Sequence, residues 1–326
     1  MSYDPAMSGH GHDHPHPHVH GHEPLDPPRV EEVADGVFAY IQPDGTWYIN
    51  NAGFIVADDG LVAIDTCATE SRTRAFLEAA RAVSDAPVRT VVNTHHHGDH
   101  THGNYLTWPA TIVAHENCRE LILSSGIVHN PNVFGHRDWG DLVVAAPTLT
   151  FADHVDLWAG DTKVELHYIG GAAHTTNDVV AWLPAQGVLY TGDLVFNGGM
   201  PFVVMGSVSG ALASLDRLRS FGASTVVPGH GPVCGPEVFD GLADYYRFVQ
   251  ASAAAAHASG TSALDAARQL DLGAFGELTD SERIVGNLHR ALYELNGGAP
   301  GGPMDIRAAI MDMVAYNGGQ PLRCVV

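Results

Sequence analysis

The strongest chemical signal in the chain is THHHGDH, which sets out His95-x-His97-x-Asp99-His100 in a single short turn. Neutral imidazoles and carboxylates are the ligands that suit zinc and related transition metals, and four of them within one turn can reach a common centre. Farther on stand three single candidates: His174 in GGAAHTTND, Asp193 in YTGD and His230 in PGHG, each placed in a loop after a predicted strand. Alone, each would be weak, because a lone histidine is more often a hydrogen-bonded core or surface residue than a ligand. In this order they reinforce the cluster.

The elements that must carry these residues follow from patterning. VRTVVNTH predicts a buried strand that ends in the histidines. Before it, VFAYI, WYINNAGFIV and LVAID read as a meander of strands with a turn at Asp58-Asp59-Gly60, followed by a helix over Ser71–Val83 turning Ala75, Leu77 and Ala80 inward. After it come TLTFADHVDLW, then KVELHYIGG with Val164, Leu166 and Tyr168 alternating, then VVAWLPAQGVLYTGD with a hairpin turn at Pro184 to Gly187. A helix over Gly210–Phe221 and the strand STVVPGH complete the second block. A strand block, a helix and a strand, repeated twice, predict two similar halves, each a sheet covered by helices: an α/β (α+β) fold of αββα sandwich type.

Beyond Cys234 the apolar spacing is helical, through Val238, Leu242, Tyr245 and Val249 and again through Ile284, Leu288, Leu292 and Leu295. A capping box at Thr279-x-x-Glu282 predicts where the second of these helices starts. The Gly- and Pro-rich NGGAPGGP leads to a last helix around Met304–Val314. The expected organisation is a histidine-rich disordered tail over 1–28, a core over 29–235 and a C-terminal helical layer over 236–326 packed on the core.

Composition narrows the partners. With 37 acidic against 16 basic residues the formal net charge is -21, which repels polyanions, so no nucleic-acid partner is expected. Cys67, Cys118, Cys234 and Cys324 form no C-x-x-C pair, which argues against a structural zinc site or a disulfide framework and fits a reducing, cytoplasmic setting. No stretch approaches the roughly 20 apolar residues needed to span a bilayer, and the first residues lack a secretory pattern. His10, His12, His14, His16, His18, His20 and His22 alternate through the tail, so a metal-gathering tract, and with it a metal-buffering role, is the non-enzymatic alternative.

From Arg29 to Cys234, these motifs in their order resemble the metallo-β-lactamase superfamily. The resemblance implies two Zn2+ per chain, with His95, His97 and His174 on the first ion, Asp99, His100 and His230 on the second, and Asp193 bridging both. It makes Asp65, at the end of LVAID, a buttress that orients a ligand histidine, and leaves His96 and His102 off the metals. The implied chemistry is attack on a substrate carbonyl by a hydroxide held between the ions, with Asp99 and Asp193 as the carboxylates of the catalytic centre. His129 and His136 lie in a loop expected to overlie the site.

Fold does not choose the substrate. Asp193 stands where lactamases of the first two subclasses carry cysteine, which disfavours antibiotic hydrolysis. Trp47, Tyr48, Phe134, Trp139, Phe196, Met200, Phe202 and Met205 are candidates for an apolar pocket wall, weighed against ordinary core packing. HRDWG, PFVVMGSVSG, DLGAFGEL, NLHRA and VAYNGGQP further resemble actinomycete aromatic-polyketide thioesterase-cyclases, which implies a thioester held on an acyl carrier protein. A lactonase and a glyoxalase II-like thioesterase are the rival hydrolases, with a β-lactamase ranked below them; an iron dioxygenase on the same ligands is a further alternative. A homodimer is left open.

Overall fold

A computed structural model describes residues 25–326, so the histidine-rich tract up to residue 24 lies outside the described residues. Two sheets face each other. The first has seven strands in sequence order: β1 (Arg29–Ala34), β2 (Val37–Ile41), β3 (Ala52–Ala57), β4 (Gly60–Ile64), β5 (Val88–Val92), β6 (Thr111–His115) and β7 (Leu149–Phe151). Its first four strands form an antiparallel meander, and β4 to β7 pair in parallel. The second sheet runs β12 (Thr225–His230), β11 (Val188–Phe196), β10 (Val179–Leu183), β9 (Thr162–Tyr168) and β8 (His154–Ala159); only β11 and β12 are parallel. TLTFADHVDLW is therefore two strands, the chain crossing between sheets at Ala152-Asp153.

Alternation explains how the sheets meet. Val62, Ile64, Val92 and Val113 from the first sheet pack against Val164, Leu166, Val179 and Ala181 from the second, closing an apolar layer between them. On the outer face of the first sheet lies α1 (Glu70–Val83), capped by the Thr69 hydroxyl, which accepts from the Arg72 N–H. Its buried face is Thr73, Phe76 and Ala80, a rotation from the expected Ala75 and Leu77; bulky Phe76 sets the register, and its full burial contributes about 2–3 kcal/mol. A single turn, α2 (Gly98–Thr101), follows β5, while α3 (Glu116–Ser125) packs on β6 and α4 (Pro131–Phe134) sits in the following loop.

The second sheet is covered by α5 (Val208–Ser220) and by helices from beyond the sandwich: α6 (Val238–Ser259), α7 (Ala263–Gln269), α8 (Arg283–Leu295) and α9 (Ile306–Tyr316). The helical spacing holds there for Leu242, Tyr245 and Val249, buried on α6, and for Ile284 and Leu288 on α8, while Val238 and Leu292 are half-buried and Leu295, at the end of α8, is exposed. The capping box does not form. The helix begins only at Arg283, the Thr279 hydroxyl has no hydrogen-bond partner, and Asp280 takes φ 58 because Thr279 pairs its backbone with Gly198 and Met200. No helix among the described residues is long and apolar enough to cross a membrane. All four cysteines are free.

Candidate metal centre

The seven residues singled out by type and order converge at one end of the sandwich. His95, His97 and His100 follow β5, His174 lies in the loop between β9 and β10, and His230 ends β12. Asp193 lies within β11 rather than in a loop after it, because the strand continues past an irregularity at Gly192. Two glycines make the approach possible: a Cβ at Gly192, which has φ 51, would strike Thr94, and one at Gly229 would overlap the Asp193 carboxylate.

Two groups of potential ligands result, His95, His97, His174 and Asp193 in one and Asp99, His100, Asp193 and His230 in the other. Within each, the ligand atoms all lie within 4.8 Å of one another, and Asp193 belongs to both. One Asp193 oxygen, Oδ2, is 3.4 Å from His174 Nε2 and 3.4 Å from His230 Nε2; the other, Oδ1, is 3.1 Å from His100 Nε2. Asp99 Oδ2 is 3.3 Å from His230 Nε2. Although close, the inward atoms His95 Nε2, His100 Nε2 and Asp193 Oδ1 are buried with no hydrogen-bond partner. Such orphaned atoms carry a desolvation cost that a cation between them would offset. The residues fit a pair of divalent cations.

Each imidazole is also held from behind. His100 Nδ1 donates to Asp65 Oδ2 at 2.8 Å. Asp65 in turn accepts from the Thr94 N–H at 2.8 Å and the Thr94 hydroxyl at 2.7 Å, leaving Thr94 Oγ1 to accept from His95 Nδ1 at 3.1 Å. His174 Nδ1 donates to the Phe202 carbonyl at 2.6 Å and His230 Nδ1 to the Gly45 carbonyl at 3.0 Å. His97 is reversed: its Nε2 meets Met205 Sδ at 3.2 Å, so Nδ1 faces the centre, 2.9 Å from His174 Nε2. These partners fix tautomer and ring orientation at all five histidines.

Burial drives the His95 and His97 imidazoles well below their ordinary range, and neighbouring imidazoles add to the effect. Burial also acts against the charged form of His100 and His230, but there the Asp193 carboxylate, joined by Asp65 and Asp99 at His100 and by Asp99 at His230, outweighs it. His100 rises well above its usual value, and His230 rises to about 9. Asp99 and Asp193 are held well below the carboxylate range because the surrounding imidazoles overcome the burial cost.

The aromatic candidates divide. Tyr48 and Met205 keep exposed surface, and Tyr48 packs edge-on against Phe134 at 5.1 Å and Trp139 at 4.8 Å. His129 stacks on Trp139 at 5.7 Å, so its loop does lie over this rim, whereas His136 is exposed. Trp47 packs on Phe202 at 4.9 Å. Phe196 and Met200, read as wall candidates, are instead enclosed: Met200 is 0% exposed in the core, and Phe196 lies flat on His230, centroids 5.0 Å apart. Of the two neighbours of the ligands, His96 is buried beside Asn177, and His102 bonds Ala68 and Val128.

Several site residues carried no signal in the sequence. WYINN was read as strand, yet residues 47–51 form a loop, with Tyr48 at φ 63. Asn51 ties that loop to β12 by donating to the Pro228 and Gly231 carbonyls. Thr46 Oγ1 donates to Asp280 Oδ1 at 2.5 Å, and Asp280 pairs with Arg283 at 2.8 Å, both side chains 2% exposed. The non-glycine residues with positive φ among those described are Tyr48, Asp65 and Asp280, all in this scaffold.

The chain belongs to the metallo-beta-lactamase superfamily, whose family model matches residues 45–230. Among curated proteins it is 28% identical over 224 residues to a linear primary-alkylsulfatase of Pseudomonas sp., covering 56% of this chain and 42% of that protein. It is 22% identical over 222 residues to a metallo-beta-lactamase type 2 of Bacteroides fragilis, covering 65% and 82%. The chain thus spans about two fifths of the alkylsulfatase. Among solved structures, a metallo-beta-lactamase from Pontibacter korlensis superposes with a TM-score of 0.58 at 21% identity, covering 68% of this chain and 99% of that one.

Proposed function

We propose that the chain is a dinuclear zinc hydrolase acting on an activated acyl carbonyl, a thioester of a large apolar acyl group. The observation that carries this reading is Asp193, shared by two ligand groups in which His95 Nε2, His100 Nε2 and Asp193 Oδ1 are buried without a hydrogen-bond partner. Zinc ions held there would supply Lewis acidity and a hydroxide at neutral pH. The chain's own residues do the rest. Asp65 and Thr94 hold His100 and His95 in the donor tautomer, and the Phe202 and Gly45 carbonyls do the same for His174 and His230.

Tyr48, half-buried and backed by the buried rings of Phe134 and Trp139, is the aromatic side chain that would meet a flat apolar acyl group. The only lysine in the sequence, Lys163, is paired with Asp156 and Glu165 on β8 and β9, and Arg283 is enclosed over Trp47 and Phe196. Neither is available to a charged substrate tail. A thiolate leaving group also needs little help from a proton donor, and none is required of the rim. The test is turnover by the zinc-loaded protein of an aromatic acyl thioester, a lactone, a cephalosporin and a primary alkyl sulfate. The thioester is expected to show the highest kcat/KM. Turnover of the alkyl sulfate or the cephalosporin alone would overturn the acyl reading.

A further inference from the structure

Three polar residues on one face of α8, Arg283, Asn287 and Arg290, are 2%, 0% and 1% exposed, at a spacing where an amphipathic helix would ordinarily place apolar side chains. All three turn to the same segment of chain. Arg283 Nη1 donates to the Met200 carbonyl at 2.9 Å. Asn287 Nδ2 donates to the Pro201 carbonyl at 2.7 Å, while its Oδ1 accepts from the Val203 N–H at 3.0 Å. Arg290 closes the grip, Nε and Nη2 both donating to the Val204 carbonyl at 2.9 and 2.5 Å. The gripped segment, residues 200–205, presents the Phe202 carbonyl to His174 and Met205 to His97. The helix itself lies beyond residue 230, where the family match ends.

We infer that Asn287 and Arg290 are positioning residues for the His95–His97–His174 half of the centre, acting through the 200–205 segment. This rests on the two-metal reading above. The segment's backbone groups are buried and need partners, and an unguided loop could find many arrangements. The stripe selects one, because a guanidinium fork and a carboxamide fix both the distance and the direction of the carbonyls they hold. What it fixes reaches the ligands at once: His174 keeps its Nδ1–H on the Phe202 carbonyl, and so its bare Nε2 towards the centre, only while that carbonyl stays where Asn287 and Arg290 hold its neighbours.

The test is competition titration of metal-free protein with zinc against a chromophoric chelator, alongside thermal melting of the same samples. Arg290→Met and Asn287→Ala are expected to weaken one of two zinc equivalents about tenfold or more, within the range for partners of metal-bound histidines, and leave the other unchanged. Arg290→Lys, which restores one donor, should recover part of the loss. Val249→Ala, a core truncation on α6, should lower the melting temperature without weakening either equivalent. If Arg290→Met fails to fold, Asn287→Ala and Arg290→Lys carry the comparison. Wild-type affinity for both equivalents in these variants, or losses that only track melting as in Val249→Ala, would overturn the inference. A wild-type protein that takes up fewer than two equivalents would instead overturn the two-metal reading.

Discussion

The half of the centre formed by His95, His97 and His174 has one carboxylate in reach, the shared Asp193, while the half formed by Asp99, His100 and His230 has two, with Asp65 directly behind His100. In the first half burial dominates and His95 and His97 are neutral at physiological pH, ready to ligate. In the second, the acids win, so His100 and His230 hold protons in the metal-free protein. The lesson is that identical side chains differ in proton affinity according to the number of carboxylates around them: a cation would meet bare nitrogens at His95 and His97 and would have to displace protons at His100 and His230.

The comparison is broken most severely at the group both halves share. Asp193→Ala is expected to lower kcat/KM by about 1000-fold, the several kcal/mol that metal assistance supplies at 1.36 kcal/mol per decade. Metal content should fall from two equivalents to one at most. Retention of both at wild-type affinity would show that the halves do not depend on a common carboxylate.

A smaller, asymmetric effect is expected behind the ligands. Asp65→Asn keeps the shape and tolerates the φ of 59 found there, but removes the charge facing His100. One equivalent should weaken about 10- to 100-fold, with a lesser effect on the other through Thr94 and His95. Equal weakening of both would blur the distinction between the halves.

The mildest probe is pH. Because His230 in the metal-free protein titrates at about 9, zinc must displace its proton at neutral pH. Apparent affinity of that equivalent should climb by up to about tenfold per pH unit, for each proton released, until pH passes about 9. His95 and His97 should contribute no such dependence around neutrality. Zinc titration calorimetry in two buffers of different ionisation enthalpy checks this by the proton count; no release with either equivalent would refute it. The same raised value makes a stability statement for the metal-free protein. The pairing of protonated His230 with Asp193 and Asp99 is fully present below its ordinary value of 6.5 and is lost as pH rises through about 9.

Much of this was legible before the fold. The THHHGDH turn, the strand that leads into it, the strand that ends in His230, and the order His174, Asp193, His230 were all readable, because a ligand cluster and a strand period are local patterns. The helical face of α6 was readable for the same reason. Errors arose wherever a distant segment overrode a local preference. WYINN alternates like a strand, yet Asn51 and Thr46 bind it to β12 and to Asp280 as a loop. Thr279-x-x-Glu282 has capping-box spacing, yet pairing of Thr279 with Gly198 and Met200 delays the helix, and Glu282 accepts from Trp47 Nε1 instead.

What the sequence by itself determined, then, was a set of metal-ligand side chains in a fixed order and most of the elements that carry them, since both depend on residue type and short spacing. Asp65 apart, only the tertiary structure decided which residues stand behind the ligands. Thr46 meets Asp280 across 234 positions, and the Val203 N–H meets Asn287 across 84. No periodicity links such partners; they are set by where packed layers bring buried polar groups together, and those groups must find one another because water cannot reach them.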